Sequence, residues 1–221
     1  MSNYQLHTAI SQPRYSRYFL ACADNKRKAM MLYRANLKLS RELYGVIGMF
    51  EIILRNSIDR HLTTKKGNRW LEEAAEPGGY LDSSGCEHSF HSIQEAIQSL
   101  GILYTHDRLI AELTFGFWRY QFARKEFAAS GSTLLEIFPN RPFGTRQKDV
   151  FHHLIKINEV RNRIAHYEPI CFDGNVISTE RILRRYNLIL ALFGWLGCNR
   201  NKILYGIDGV LKAINLINNI L

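Results

Sequence analysis

Residues 43–62, LYGVIGMFEIILRNSIDRHL, decide the fold. Leu43, Ile47, Phe50, Leu54, Ile58 and Leu62 recur at the period of one helix face turned toward a core. The run closes near Lys65-Lys66-Gly67, two cations and a glycine that suit a helix C-terminus. Gly45 and Gly48 inside it predict close helix packing or a kink. On the N-terminal side, a short helix is predicted over Ser11–Ala23, with Pro13 tolerated in its first turn. Asp24-Asn25 then reads as a break and N-cap before a second helix from about Lys26.

On the C-terminal side, residues 76–88, EPGGYLDSSGCEH, are dense in Gly, Pro and Ser and read as a loop. Helical patterns follow over Ser89–Tyr104 and Asp107–Phe127, with a second loop at residues 138–142, FPNRP. A helix is predicted over Thr145–His166, and Pro169 discourages its continuation. Two last helices cover Thr179–Leu196 and Asn201–Leu221. Strand alternation is brief and confined to Ile170–Ile177, and no repeat or low-complexity tract is present. The fold class is all-α, in one domain over 1–221.

Hydrophobic residues make up 46% of the chain and charged residues 22%, a globular rather than a disordered composition. No apolar run reaches the roughly 18–20 residues that a bilayer span needs. The first residues lack the charged-then-apolar plan of a signal peptide, which points to the cytoplasm and to no membrane. Cys22, Cys86, Cys171 and Cys198 are far apart and read as reduced thiols. The net charge of +9 is uneven. Residues 1–69 hold 13 Lys/Arg against 4 Asp/Glu, and residues 70–221 hold 16 of each. Such a surface attracts polyanions in a salt-dependent way, or simply keeps the protein in solution.

The strongest chemical signal is residues 161–166, RNRIAH, closing the helix that begins near Thr145. On a helical wheel Val150, Leu154, Ile157 and Ile164 share a face, and Arg161 falls in its middle. A guanidinium among aliphatic side chains costs several kcal/mol unless a carboxylate, a polar cleft or a phosphate meets it. Asn162 and His166, at i and i+4, lie on one neighbouring face, where the amide can orient the imidazole. In a regular helix Arg161 and His166 point about 140° apart, so one shared site requires a distorted helix end or an encircling cleft. Histidine moves protons near neutral pH and arginine stabilises a phosphorane-like transition state, a pair that suits phosphodiester cleavage. RNA brings its own 2′-hydroxyl nucleophile, so that chemistry requires no metal or other cofactor. The competing reading is an arginine paired with a buried carboxylate, beside a capping histidine.

A second constellation is residues 49–56, MFEIILRN. Glu51 and Arg55 sit at i, i+4 on a turn that is apolar almost all round, a spacing that permits an ion pair. Glu51 is also a natural counter-anion for Arg161 if the two helices pack, whereas the alternative is a purely structural buried pair. Asn56 follows in the same turn.

Four stretches together carry a resemblance: SQPRYSRYFLAC (11–22), LYRANLKLSRELYGVIGMFEIILRNSIDRHL (32–62), LIAELTFGFW (109–118) and VRNRIAHYEPI (160–170). In this order, over roughly residues 10–172, they look like the Abi-like proteins, bacterial abortive-infection proteins of the HEPN superfamily. The resemblance implies a HEPN-like helical bundle, here with additional C-terminal helices. It further implies homodimers and metal-independent endoribonuclease activity through an R-x4-6-H motif, leaving 2′,3′-cyclic phosphate ends. Arg161 and His166 match that motif, Asn162 is its customary polar residue, and Glu51, Arg55 and Asn56 would shape the pocket. RNA, as tRNA or a structured non-coding RNA, is the implied partner, together with an antitoxin if one exists. Some HEPN proteins keep the fold without cleavage, so a scaffold binding RNA or a partner in a defence or toxin–antitoxin system is the alternative. The loop at 72–87 and the helices after Thr179 have no counterpart in the resemblance, and Tyr167 does not match the H-x-Y form of some HEPN toxins.

Weaker candidates remain. Residues 113–118, LTFGFW, could stack on bases or fill the core. Cys86, His88 and His91 lack a fourth metal ligand at a recognised spacing. Asp149 and His153 share a helix face, and Arg181, Arg184 and Arg185 could hold phosphates or form a solvated face.

Overall fold

Pro13 lies in the first turn of α1 (Gln12–Ala21), where its missing N–H leaves no gap in the hydrogen-bond ladder. Ala23 and Asp24 then take left-handed backbone and break the chain direction. Asn25 caps the next helix: its Oδ1 accepts from the N–H of Lys28 at 3.0 Å. That helix, α2, is continuous from Lys26 to Lys66, 41 residues, and Gly67 ends it with φ +99°. This computed structural model describes residues 10–220, and its fold is all-α.

The remaining helices are α3 (Trp70–Ala74), α4 (Glu87–Leu100), α5 (His106–Glu112), α6 (Phe115–Tyr120), α7 (Arg124–Ala129), α8 (Gln147–Ala165), α9 (Glu180–Trp195), α10 (Arg200–Ile203) and α11 (Val210–Asn218). Short 3-10 turns cover Gly101–Leu103 and Leu134–Ile137. The alternation in 170–177 becomes a two-residue hairpin, β1 (Phe172–Asp173) against β2 (Val176–Ile177), antiparallel with Phe172 opposite Ile177.

Two predicted helices are broken. In 107–127 the backbone turns extended at Leu113–Thr114 and again at Ala123, which gives α5, α6 and α7. The breaks let Phe115, Trp118 and Phe122 all be fully buried. They also free the carbonyl of Leu113, which accepts from Trp118 Nε1 at 3.1 Å. The final helix is interrupted between α10 and α11 by Gly206 (φ +76°), and Asp208 Oδ1 accepts from the N–H of Val210 at 3.1 Å to start α11.

The chain divides into two compact units whose boundaries fall inside α2, α8 and α9 and at the end of α10. The first comprises the chain through Ile47, Glu159–Ile189 and the chain from Leu204. Its core joins Tyr18 of α1, Leu32, Leu39 and Leu43 of α2, Ile182 of α9 and Val210 of α11. Tyr18 meets Tyr33 and Phe172 edge-on, both at 5.3 Å between ring centroids. Gly45 sits against the segment before α11, where an added Cβ would stand 3.1 Å from Ile207 Cγ2, so the expected close approach at this glycine exists. Gly48 has no such neighbour.

The second unit comprises Gly48–Asn158 and Leu190–Ile203. Phe50 packs edge-on against Phe193 at 5.5 Å, and Leu54, Ile58 and Leu62 continue the buried stripe predicted from their spacing. Asp59 Oδ1 accepts from Trp70 Nε1 at 2.9 Å and lies 2.8 Å from His106 Nε2, which ties α3 and α5 to α2. Glu126 is buried beside Ser89, which donates to it at 3.2 Å, and burial pushes its carboxyl above the usual range. All four cysteines are unpaired, with Cys86 and Cys171 buried.

Candidate functional site

Helix α8 ends one residue before His166, and its end is built as a Schellman turn. The N–H of Glu168 donates to the carbonyl of Arg163 at 2.8 Å, and that of Tyr167 to the carbonyl of Ile164 at 2.9 Å. His166 is therefore the C-cap residue, its N–H still bonded to the Asn162 carbonyl at 2.9 Å. Tyr167 occupies the next position with φ +55°, the left-handed conformation usually left to glycine. The backbone leaves the helical path only at Tyr167, after the histidine, whose own N–H keeps the regular bond of the helix.

Val150, Leu154, Ile157 and Ile164 are buried, so the predicted apolar face exists. Arg161 is half-buried on that helix, and its Nε is enclosed with no protein acceptor among the described residues. A guanidinium nitrogen so placed is costly unless something else meets it. Asn162 and His166 are exposed. The six sequence candidates divide between the units: Arg161, Asn162 and His166 belong to the first, and Glu51, Arg55 and Asn56 to the second. Glu51 and Arg55 are half-buried, Asn56 is exposed, and Arg55 Nε is enclosed without an acceptor.

The residues flanking His166 line two recesses of the first unit. Ala165 and Tyr167 contribute to one of about 380 Å³, together with Leu37, Ser40 and Tyr44 of α2. Arg163 and Glu168 contribute to the other, of about 360 Å³. Neither Arg161 nor His166 is among the lining residues of either recess.

Sequence reasoning missed two residues that hold this region in place. Asn36, buried in α2, accepts on Oδ1 from the backbone N–H of Ile170 at 2.9 Å and of Cys171 at 3.1 Å. It thereby fixes the strand that leaves the histidine turn. Arg163 Nη2 donates to the carbonyl of Pro169 at 2.8 Å, and its Nε lies 3.5 Å from Glu168 Oε2, so it braces the same turn from within. The R-x-R spacing of Arg161 and Arg163 is visible in the sequence; a single asparagine between Ala35 and Leu37 carries no comparable signal.

The weaker candidates resolve differently. Phe115, Phe117 and Trp118 are buried and serve as core rather than as base-stacking groups. Cys86 is buried, and among the described residues no group of three His, Cys, Asp or Glu side chains is placed to hold a metal ion. Asp149 accepts from the N–H of Arg146 at 2.8 Å, which holds its carboxyl below the usual range, while burial lowers the pKa of His153. Arg184 pairs with Glu180 at 3.4 Å, whereas Arg181 and Arg185 face the 360 Å³ recess. No protein-family model, curated protein or solved structure matches the chain.

Proposed function

We propose that this chain is a metal-independent endoribonuclease of the HEPN type, acting in the bacterial cytoplasm in abortive infection. The supporting observation is one helix end: a half-buried arginine whose enclosed Nε lacks an acceptor among the described residues, and an exposed histidine at the C-cap little more than a turn later. In this reading Arg161 binds the scissile phosphate and stabilises the charge that grows on it. His166 moves the proton. The ribose 2′-oxygen attacks phosphorus as it gives up its proton, the bond to the 5′-oxygen breaks, and that oxygen takes a proton. The products are a 2′,3′-cyclic phosphate and a 5′-hydroxyl. Asn162 orients the imidazole, and a homodimer brings two copies of the motif to one RNA.

The test is inducible expression of the wild type beside Arg161→Ala and His166→Ala, with sequencing of RNA ends. The expected result is growth arrest with new cyclic-phosphate ends in the wild type only, undiminished by EDTA in a purified reaction. If His166→Ala cuts as well as the wild type, the assignment is wrong. A discrete RNA that copurifies intact with an inert protein would instead identify a binding scaffold.

A further inference from the structure

The second recess beside the histidine turn has a composition that the cleavage reading leaves unused. Three guanidinium groups line it: Arg163 of α8, and Arg181 and Arg185 one turn apart on α9. Val160, Glu159 and Glu168 complete the lining. Among the described residues, Arg163 Nε, Arg181 Nε, Arg181 Nη2 and Arg185 Nε are enclosed and make no hydrogen bond. Arg163 Nη2 is already bound to the Pro169 carbonyl, so the nitrogens open to a ligand are chiefly those of Arg181 and Arg185. Glu168 approaches Arg163 at 3.5 Å without completing a hydrogen bond, and Glu159 is exposed. Burial and the charge of Arg181 both hold the pKa of Arg163 below its ordinary value, so the cations oppose one another.

Three guanidinium groups against one approaching carboxylate, the exposed Glu168, leave the half-buried recess with surplus positive charge that a further anion would relieve. Guanidinium forks match phosphate geometry and donate two bonds at a time. The volume, about 360 Å³, lies at the lower end of the range of small-molecule sites. Arg17 adds positive charge nearby but is already engaged, lying over the Phe172 ring at 4.5 Å and donating to the carbonyl of Gly174. Arg184 is turned to Glu180. We propose that Arg163, Arg181 and Arg185 form a binding site for a phosphate monoester, distinct from Arg161 and His166 and independent of whether the chain cuts RNA. The monoester is either the terminal phosphate of an RNA or a free phosphorylated small molecule.

Phenylglyoxal modification of the native protein, read residue by residue by mass spectrometry, tests the site without any variant. Inorganic phosphate, at ionic strength matched with chloride, is expected to slow modification of Arg181 and Arg185 severalfold and to leave Arg184 unchanged. Equal rates with and without phosphate, or equal slowing of all three arginines, would overturn the proposal. Calorimetry then compares inorganic phosphate with a short 5′-phosphorylated oligoribonucleotide and its 5′-hydroxyl counterpart. Preference for the phosphorylated RNA over both other probes identifies an RNA terminus, and comparable binding of inorganic phosphate and phosphorylated RNA identifies a small molecule. Binding of the hydroxyl form as tight as the phosphorylated form, with none of inorganic phosphate, refutes a monoester site. Replacing both Arg181→Gln and Arg185→Gln is expected to weaken binding at least about tenfold, while Arg184→Gln has no effect.

Discussion

The side-chain oxygen of Asn36 is the acceptor for two buried backbone N–H groups, those of Ile170 and Cys171, just beyond the histidine turn. Removing it leaves both donors dry, and each such loss costs about 1–3 kcal/mol. Asn36→Ala is therefore expected to lower unfolding stability by about 2–4 kcal/mol in urea titration, while Asn56→Ala, at an exposed position of the same helix, loses much less. Equal losses would show that the oxygen is not what matters. Tyr167 shows the opposite situation. The residue is 69% exposed while its backbone is left-handed, so it carries a conformational cost with little burial to offset it. Tyr167→Gly is expected to raise stability by about 0.5–1 kcal/mol, and a drop would mean that the ring holds the turn. At this scale the sequence showed Arg161 and His166 because a cation on an apolar face and a histidine at a helix end are local patterns. The residue that anchors the chain beyond the histidine turn was not legible, because Asn36 meets Ile170 across a separation that no spacing rule spans.

Among the elements, α2 is the most legible and also the most instructive. Its apolar period was evident, yet Gly45 and Gly48 each lower helix propensity by roughly 1 kcal/mol and invited a kink. The helix runs through both. At Gly45 an added Cβ would press on the Ile207 methyl, which must then yield by a few tenths of an ångström, whereas Gly48 has open space around it. Gly48→Ala is accordingly expected to stabilise by about 0.5–1 kcal/mol in chemical denaturation, and Gly45→Ala to bring no comparable gain. Equal gains at the two sites would contradict this account. The stretch 107–127 was misread as one helix because helical spacing cannot reveal that three aromatic side chains need one core from different faces. There α7 carries buried Glu126, whose carboxyl is raised by burial. Below the ordinary carboxylate range both folded and unfolded chains are protonated here, and no penalty arises. As pH rises through that range the unfolded chain ionises first, so the contribution to stability declines until the folded group ionises. Glu126→Gln should raise the melting temperature near about pH 7 and make little difference near about pH 3. A gain that persists in acid would point to packing instead.

For the whole molecule, the all-α class followed from apolar period and from the scarcity of strand alternation, both readable along the chain. The grouping of residues into two units was not, since it depends on contacts far apart in sequence. The same holds for the arginine recess: Arg181, Arg184 and Arg185 were equivalent on paper, and only packing separates the two that face Arg163 from the one that faces Glu180. The unpaired thiols have a further consequence. Burial pushes the Cys171 thiol up to about 12 and raises the other three as well, but only Cys171 and Cys86 are also closed off from solvent, so these two should resist alkylation most. Cys22 and Cys198 are only half-buried, and one belongs to each unit. A maleimide time course read by peptide mass should therefore show these two modified first; early loss of Cys171 would contradict the burial described. The native chain thus comes with a natural attachment point for a maleimide dye on each unit, without a single engineered cysteine.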